Sequence, residues 1–111
     1  MNRVFYQKLI RDKIPERMDE NGAQYEIQTL TETAFEKALL QKLKEEAEEV
    51  IKSESKEESV KELADLLDVI EAIKEQKNIS QTEIIEAQEK AFAQKGGFKK
   101  RLFLLWTEET K

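Results

Sequence analysis

The sequence predicts a mainly α protein: an antiparallel helical hairpin plus a third helix, forming a four-helix-bundle core on dimerisation, with a small two-stranded β element. Three observations carry that expectation. Charged residues make up 39% of the 111 positions, beside one Pro and three Gly, a composition that favours helix and leaves little loop. Three Ser/Thr-x-x-Glu signals each precede a run of apolar residues at helical spacing. The stretch between the first two runs is so short that the second helix must return antiparallel to the first.

In chain order, the basic stretch Tyr6-Gln7-Lys8-Leu9-Ile10-Arg11-Asp12-Lys13-Ile14-Pro15 comes first. Pro15 is expected to start a short helix in its first turn, ending at Asn21-Gly22. Tyr25, Ile27 and Thr29 alternate with Glu26, Gln28 and Leu30, the period of a strand, and Arg101-Leu102-Phe103-Leu104-Leu105-Trp106 is its natural partner. Thr33-Ala34-Phe35-Glu36 has the form of a capping box and opens the first long helix, to about Ser53. Ser55-Lys56-Glu57-Glu58 repeats the device for the second, to about Lys77, and Ser80-Gln81-Thr82-Glu83 for the third, through about Lys95. Gly96-Gly97 supplies a left-handed stop. The whole, residues 1–111, reads as one domain without repeats or low-complexity tails.

Two groups of carboxylates stand out from the general acidity. The first is Glu45-Glu46-Ala47-Glu48-Glu49 and the second Glu62-Leu63-Ala64-Asp65, with twelve residues between Glu49 and Glu62. At about 100° per residue, Phe35, Leu39, Leu43 and Val50 define an apolar arc on the first long helix, and Glu46 falls between Phe35 and Leu39. Glu49 sits at the arc's margin beside Ala38, whereas Glu48 points away. On the second helix Val69, Ile73, Leu66, Ile70, Leu63 and Leu67 form the arc; Glu62 falls between Val69 and Ile73, and Asp65 borders it near Ala72. A carboxylate buried without a partner costs several kcal/mol, so acids at core-facing positions require a metal or bases. Glu46, Glu49, Glu62 and Asp65 would face one another across the hairpin and offer oxygen ligands to a hard cation, Mg2+ before Mn2+. Glu48, Glu57, Glu58, Glu71 and Glu75 fit a solvated face, and Asp68 is expected at the surface.

Composition narrows the chemistry further. The chain has no Cys and no His, which removes disulfides, thiolate nucleophiles, imidazole bases, zinc sites of the usual kinds and Glu-x-x-His di-iron bundles. A formal charge of −5 argues against a nucleic-acid polymer as partner, though local basic clusters can hold a small phosphorylated molecule. No apolar run is long enough for a membrane span, and Met1-Asn2-Arg3-Val4-Phe5 starts no signal peptide, so a cytoplasmic protein is expected. The apolar arc of the second helix exceeds what one neighbour covers, which calls for self-association into a homodimer or dimer of dimers.

Carboxylate clusters that bind Mg2+ without His or Cys commonly serve phosphoryl transfer or pyrophosphate-bond cleavage. Glu45-Glu46-x-x-Glu49 followed after twelve residues by Glu62-x-x-Asp65 resembles the metal motif of the all-α nucleotide pyrophosphohydrolases, which include MazG-like enzymes and phosphoribosyl-ATP pyrophosphohydrolase. Tyr6-x-Lys8-Leu9-Ile10-Arg11-Asp12-Lys13-Ile14-Pro15 and Lys90-x-x-x-x-Lys95-Gly96-Gly97-Phe98 look like the short single-domain members of that group. The resemblance implies that Glu46, Glu49, Glu62 and Asp65 bind Mg2+ and that Glu45 either supports these ligands from behind or orients the attacking water. It implies hydrolysis of a nucleoside triphosphate or related nucleotide to the monophosphate and pyrophosphate, with nucleotide house-cleaning as a role. Histidine-pathway phosphoribosyl-ATP hydrolysis is weakened by the N-terminal segment, which is similar to that of the other relatives. Lys8, Arg11, Lys13, Lys90 and Lys95 would contact substrate phosphates, against the alternative that they are solvated or helix-terminal lysines and arginines. Trp106, Phe98, Phe92 and Tyr6 are suited to stacking a base or, for most of them, to core packing. The competing reading is a non-catalytic helical module that dimerises and binds a partner or nucleotide.

Overall fold

A computed structural model of the chain describes residues 2–109. Among these the secondary structure is entirely helical: α1 (Ile14–Glu20), α2 (Glu32–Lys52), α3 (Lys56–Gln76) and α4 (Gln81–Lys95). The chain divides into two compact units, one reaching to Asn78 and one starting at Ile79.

The first unit is built on α2 packed against α3. Its link is three residues, Ser53 to Ser55, and each end is chemically fixed. Ser53 leaves the helix in an extended conformation, its hydroxyl donating to the Val50 carbonyl at 2.7 Å and meeting the Ser59 hydroxyl at 2.8 Å. Ser55 then caps α3 by accepting from the Glu58 N–H at 3.1 Å. Glu58 reaches back to the Glu54 N–H rather than to that of Ser55, so the expected capping box is shifted outward by one residue. At the far end of the pair, Lys77 reaches Glu36 at 3.0 Å and ties the close of α3 to the start of α2. Asn78 follows in the left-handed region at φ 62, a conformation that asparagine tolerates better than most residues.

One boundary differs from the sequence expectation. α2 is capped by Thr31, not Thr33: the Thr31 hydroxyl accepts from the Ala34 N–H at 3.2 Å, and its carbonyl accepts from Phe35 N–H at 2.8 Å. Starting earlier adds backbone hydrogen bonds and sets Glu32 in the first turn, where the helix dipole favours an acid. The Thr33–Glu36 pattern is a capping-box match inside a helix already begun.

The apolar core of this unit is small. Leu39 and Val69 are buried, with Phe35, Leu43, Val50, Leu66 and Ile73 half-buried around them. Burying a Leu or Val side chain contributes about 2 kcal/mol each. Lys74 is also buried, its ammonium 2.9 Å from Glu71. Of the predicted α3 arc, Leu63, Leu67 and Ile70 stay exposed, and with Val60 they form a stripe along the helix.

The second unit is α4 and the segment after it. Ser80 and Glu83 form a reciprocal capping box, Ser80 Oγ accepting from Glu83 N–H at 3.1 Å and Glu83 accepting from Ser80 N–H at 2.9 Å. Gly96 ends the helix at φ 78, and a side chain there would be strained. The expected two-stranded element is not present among the described residues: 23–31 and 102–109 carry no strand. Phe92, Phe98 and Trp106, like Tyr6 in the first unit, are exposed rather than packed in a core. No helix among the described residues is long and apolar enough to cross a membrane.

Candidate metal centre

The hairpin's symmetry about its link creates the site. Glu46 stands six residues before the end of α2 and Glu62 six residues after the start of α3. At 1.5 Å per residue both lie about 9 Å from the link, level with each other across the antiparallel pair. Asp65 follows one turn further from the link on the same face. One carboxylate oxygen from each of Glu46, Glu62 and Asp65 lies within 4.8 Å of the other two. Their side chains are 14%, 18% and 29% exposed, so all three are partly withdrawn from water and still reachable.

These acids line a cavity of about 350 Å³ together with Glu45, Glu49, Lys8, Lys42 and Lys61. Glu49 is exposed and outside the close trio. The reason is axial: it lies one turn nearer the link than Glu46, while Asp65 lies one turn further than Glu62, which separates Glu49 from Asp65 by about 9 Å along the pair. The four sequence-predicted ligands therefore share a cavity, and three of them converge.

Each acid of the trio carries a basic neighbour. Lys42 approaches Glu46 at 3.6 Å, one turn earlier on α2. Lys61 stands 3.4 Å from both Glu62 Oε1 and Asp65 Oδ2, one ammonium between two carboxylates. Hydrogen bonding to Asp65, then the charge of Glu62, raises the Lys61 pKa. Arg11, from the segment before α1, donates to Asp65 Oδ1 at 3.0 Å and to Asp68 Oδ2 at 2.9 Å. The bond to Asp68 leads the causes that raise the Arg11 pKa.

The donor set fits a hard divalent cation. It is all oxygen, and the trio's separations of up to 4.8 Å come near the roughly 3–4 Å between ligands on a Mg2+ octahedron of about 2.1 Å radius. The cavity's five acids exceed its three lysines by two charges, the charge such an ion supplies. Arg11 does not line this cavity, and neither does Lys13, which occupies the N-cap position of α1. Lys90 and Lys95 are exposed on α4, in the second unit.

Sequence reasoning overlooked Lys42 and Lys61, although both lie four residues before an acid of the trio, the spacing at which helix side chains meet. It also placed Asp68 at the surface without a role. Asp68 is exposed there, but it holds Arg11, a contact between positions 57 apart that no helical period reveals.

No curated protein and no solved structure shows significant similarity to the chain. The profile of one family, phosphoribosyl-ATP pyrophosphohydrolase, matches residues 5–92, which takes in the N-terminal segment, the hairpin with its carboxylates, and most of α4. The chain belongs to this family, within the all-α MazG-like nucleotide pyrophosphohydrolase superfamily.

Proposed function

We propose that the protein, acting through residues 1–111 as one functional domain, hydrolyses a nucleoside triphosphate or related nucleotide to the monophosphate and pyrophosphate with Mg2+. The observation that carries the reading is the trio Glu46, Glu62 and Asp65, held within one ion's span in a cavity rimmed by Lys8, Lys42 and Lys61. Glu46, Glu62 and Asp65 would hold Mg2+, or Mn2+, with Glu49 completing the set from the same cavity. When bound, the ion neutralises phosphate oxygens and polarises water. Glu45, also in the cavity wall, is assigned the orientation of the attacking water. Lys8, whose ammonium also lies 5.1 Å from the Tyr6 ring centre, would meet the polyphosphate from the cavity's rim. Lys90 and Lys95 are assigned phosphate contacts from the family resemblance alone.

The active form is proposed to be a homo-oligomer, because Val60, Leu63, Leu67 and Ile70 repeat at alternating three- and four-residue spacing along α3 and are all exposed. Such a stripe matches a second helix pair in a four-helix bundle. A non-catalytic module is favoured by one observation, the pairing of the acids with Lys42, Lys61 and Arg11, since a chain that neutralises its own acids has less need of an ion.

A panel of nucleoside triphosphates and phosphoribosyl-ATP, assayed with and without Mg2+ for pyrophosphate release, separates the readings. Metal-dependent pyrophosphate and monophosphate support the enzyme. Orthophosphate alone would reject this bond assignment, and a folded, Mg2+-binding protein that hydrolyses nothing in the panel would favour the module.

A further inference from the structure

The N-terminal segment touches both helices of the hairpin at the level of the carboxylates. Gln7, Lys8 and Leu9 line a small cavity with Ala38, Gln41, Lys42 and Glu45 of α2. Arg11, two residues on, forks onto Asp65 and Asp68 of α3. At Gln7 the backbone takes a positive φ of 51, a turn that non-glycine residues adopt only where their surroundings hold them. Five residues thus cross from one helix to the other directly beside the acidic trio.

We propose that residues 7–11 are a strap fastened by Arg11 and Asp68, which sets Lys8 on the rim of the carboxylate cavity and holds Asp65 Oδ1 so that Oδ2 is left for other partners. Arg11 is then a positioning residue and not a phosphate contact. Its two donors engage carboxylates one helical turn apart at 3.0 and 2.9 Å, closer than the 3.4 Å at which the single Lys61 ammonium spans Glu62 and Asp65, because the guanidinium offers a separate nitrogen to each. Asp68 lies outside the cavity and has no part in it except through Arg11. For the role of Lys8 the inference rests on the phosphate-cleaving function proposed above; the strap itself does not.

The test uses the whole chain and the variants Arg11→Gln, Arg11→Lys and Asp68→Asn, all at exposed positions where helicity by circular dichroism is expected to stay unchanged. Limited trypsin cleavage after Lys8 should become several-fold faster in Asp68→Asn, with cleavage after Lys95 as internal reference. Affinity for inorganic tripolyphosphate in the presence of Mg2+ should weaken about three- to tenfold in Arg11→Gln and Asp68→Asn, with Arg11→Lys between them and the wild type. The Arg11→Gln/Asp68→Asn double variant should bind no more weakly than Arg11→Gln alone, because the two residues act as a unit. Wild-type cleavage after Lys8 in Asp68→Asn would overturn the strap, and so would tighter tripolyphosphate binding there, which would show a freed Arg11 reaching phosphate. Faster cleavage with no tripolyphosphate binding even in the wild type would uphold the strap and overturn the role of Lys8 as a phosphate contact, while the nucleotide panel above decides the phosphate-cleaving function separately.

Discussion

Glu46 and Glu62 lie within the apolar arcs of their helices, yet neither is sealed from water, and each has a lysine within 3.6 Å. That environment sets each carboxylate beside a base while crowding it against two others. Replacing either by Gln removes one negative charge from the crowd and one ligand from the proposed ion. Glu46→Gln and Glu62→Gln are therefore expected to lower turnover by more than ~100-fold. Their metal-free melting temperatures should be equal to or above that of the wild type, since like-charge repulsion is relieved. Mg2+ should raise the wild-type melting temperature and leave the variants' nearly unmoved. Collapse of helicity in both variants would assign these acids a structural task.

Among the elements, α2 and α4 offer contrasting tests of capping. Thr31 bonds the Ala34 N–H, whereas Thr33 lies within the helix, so Thr31→Ala should cost about 1 kcal/mol and Thr33→Ala much less. A larger loss for Thr33→Ala than for Thr31→Ala in chemical denaturation would place the cap of α2 at Thr33 instead. In α4, the Ser80 N–H and hydroxyl hold the Glu83 carboxylate below the ordinary glutamate range, the backbone bond being the larger cause. A pKa depressed on folding stabilises fully above the unfolded value, near pH 4.3, and that contribution is lost as pH falls through the folded value. The Glu83 titration followed by NMR should have its midpoint below the ordinary glutamate value, and the Ser80 amide should follow it. In Glu83→Gln the amide should no longer do so. These ends also show what is legible in a sequence. Ser80-Gln81-Thr82-Glu83 contains both halves of its own cap and was readable, whereas Thr31 competes with a better-looking Thr33 and loses on pattern while winning on backbone bonds. The carboxylate trio was readable for a similar reason, because helix register and a short link determine it locally. Arg11–Asp68 was not, since nothing in the spacing of either residue refers to the other. Nor was the absence of a strand at 25–29, because alternation marks a segment able to pair without supplying its partner.

On the scale of the molecule, two buried apolar side chains among the described residues face a long roll of exposed ones, among them Leu67 at 62% and Ile51 at 81%. Patches of this kind on α3 would be covered in the proposed oligomer. Sedimentation at low micromolar concentration should show a species heavier than the 13.0 kDa chain, and Leu67→Glu should shift it towards monomer with a lower melting temperature. An active wild-type monomer would refute self-association as a requirement.

The placement of Glu46 and Glu62 at equal distances from the three-residue link bears also on how the chain folds. The hairpin is rich in contacts between residues close in sequence, the kind of topology that closes fast. Its closure brings the trio's charges together, so their repulsion is expected to raise the barrier to folding as well as the energy of the finished state. An ion that bridges them would act on the same barrier. With Mg2+ bound as proposed, stopped-flow refolding should accelerate with metal concentration, and in Glu46→Gln refolding without metal should already be fast, so that the charges of the proposed catalytic site set the tempo of the fold's assembly.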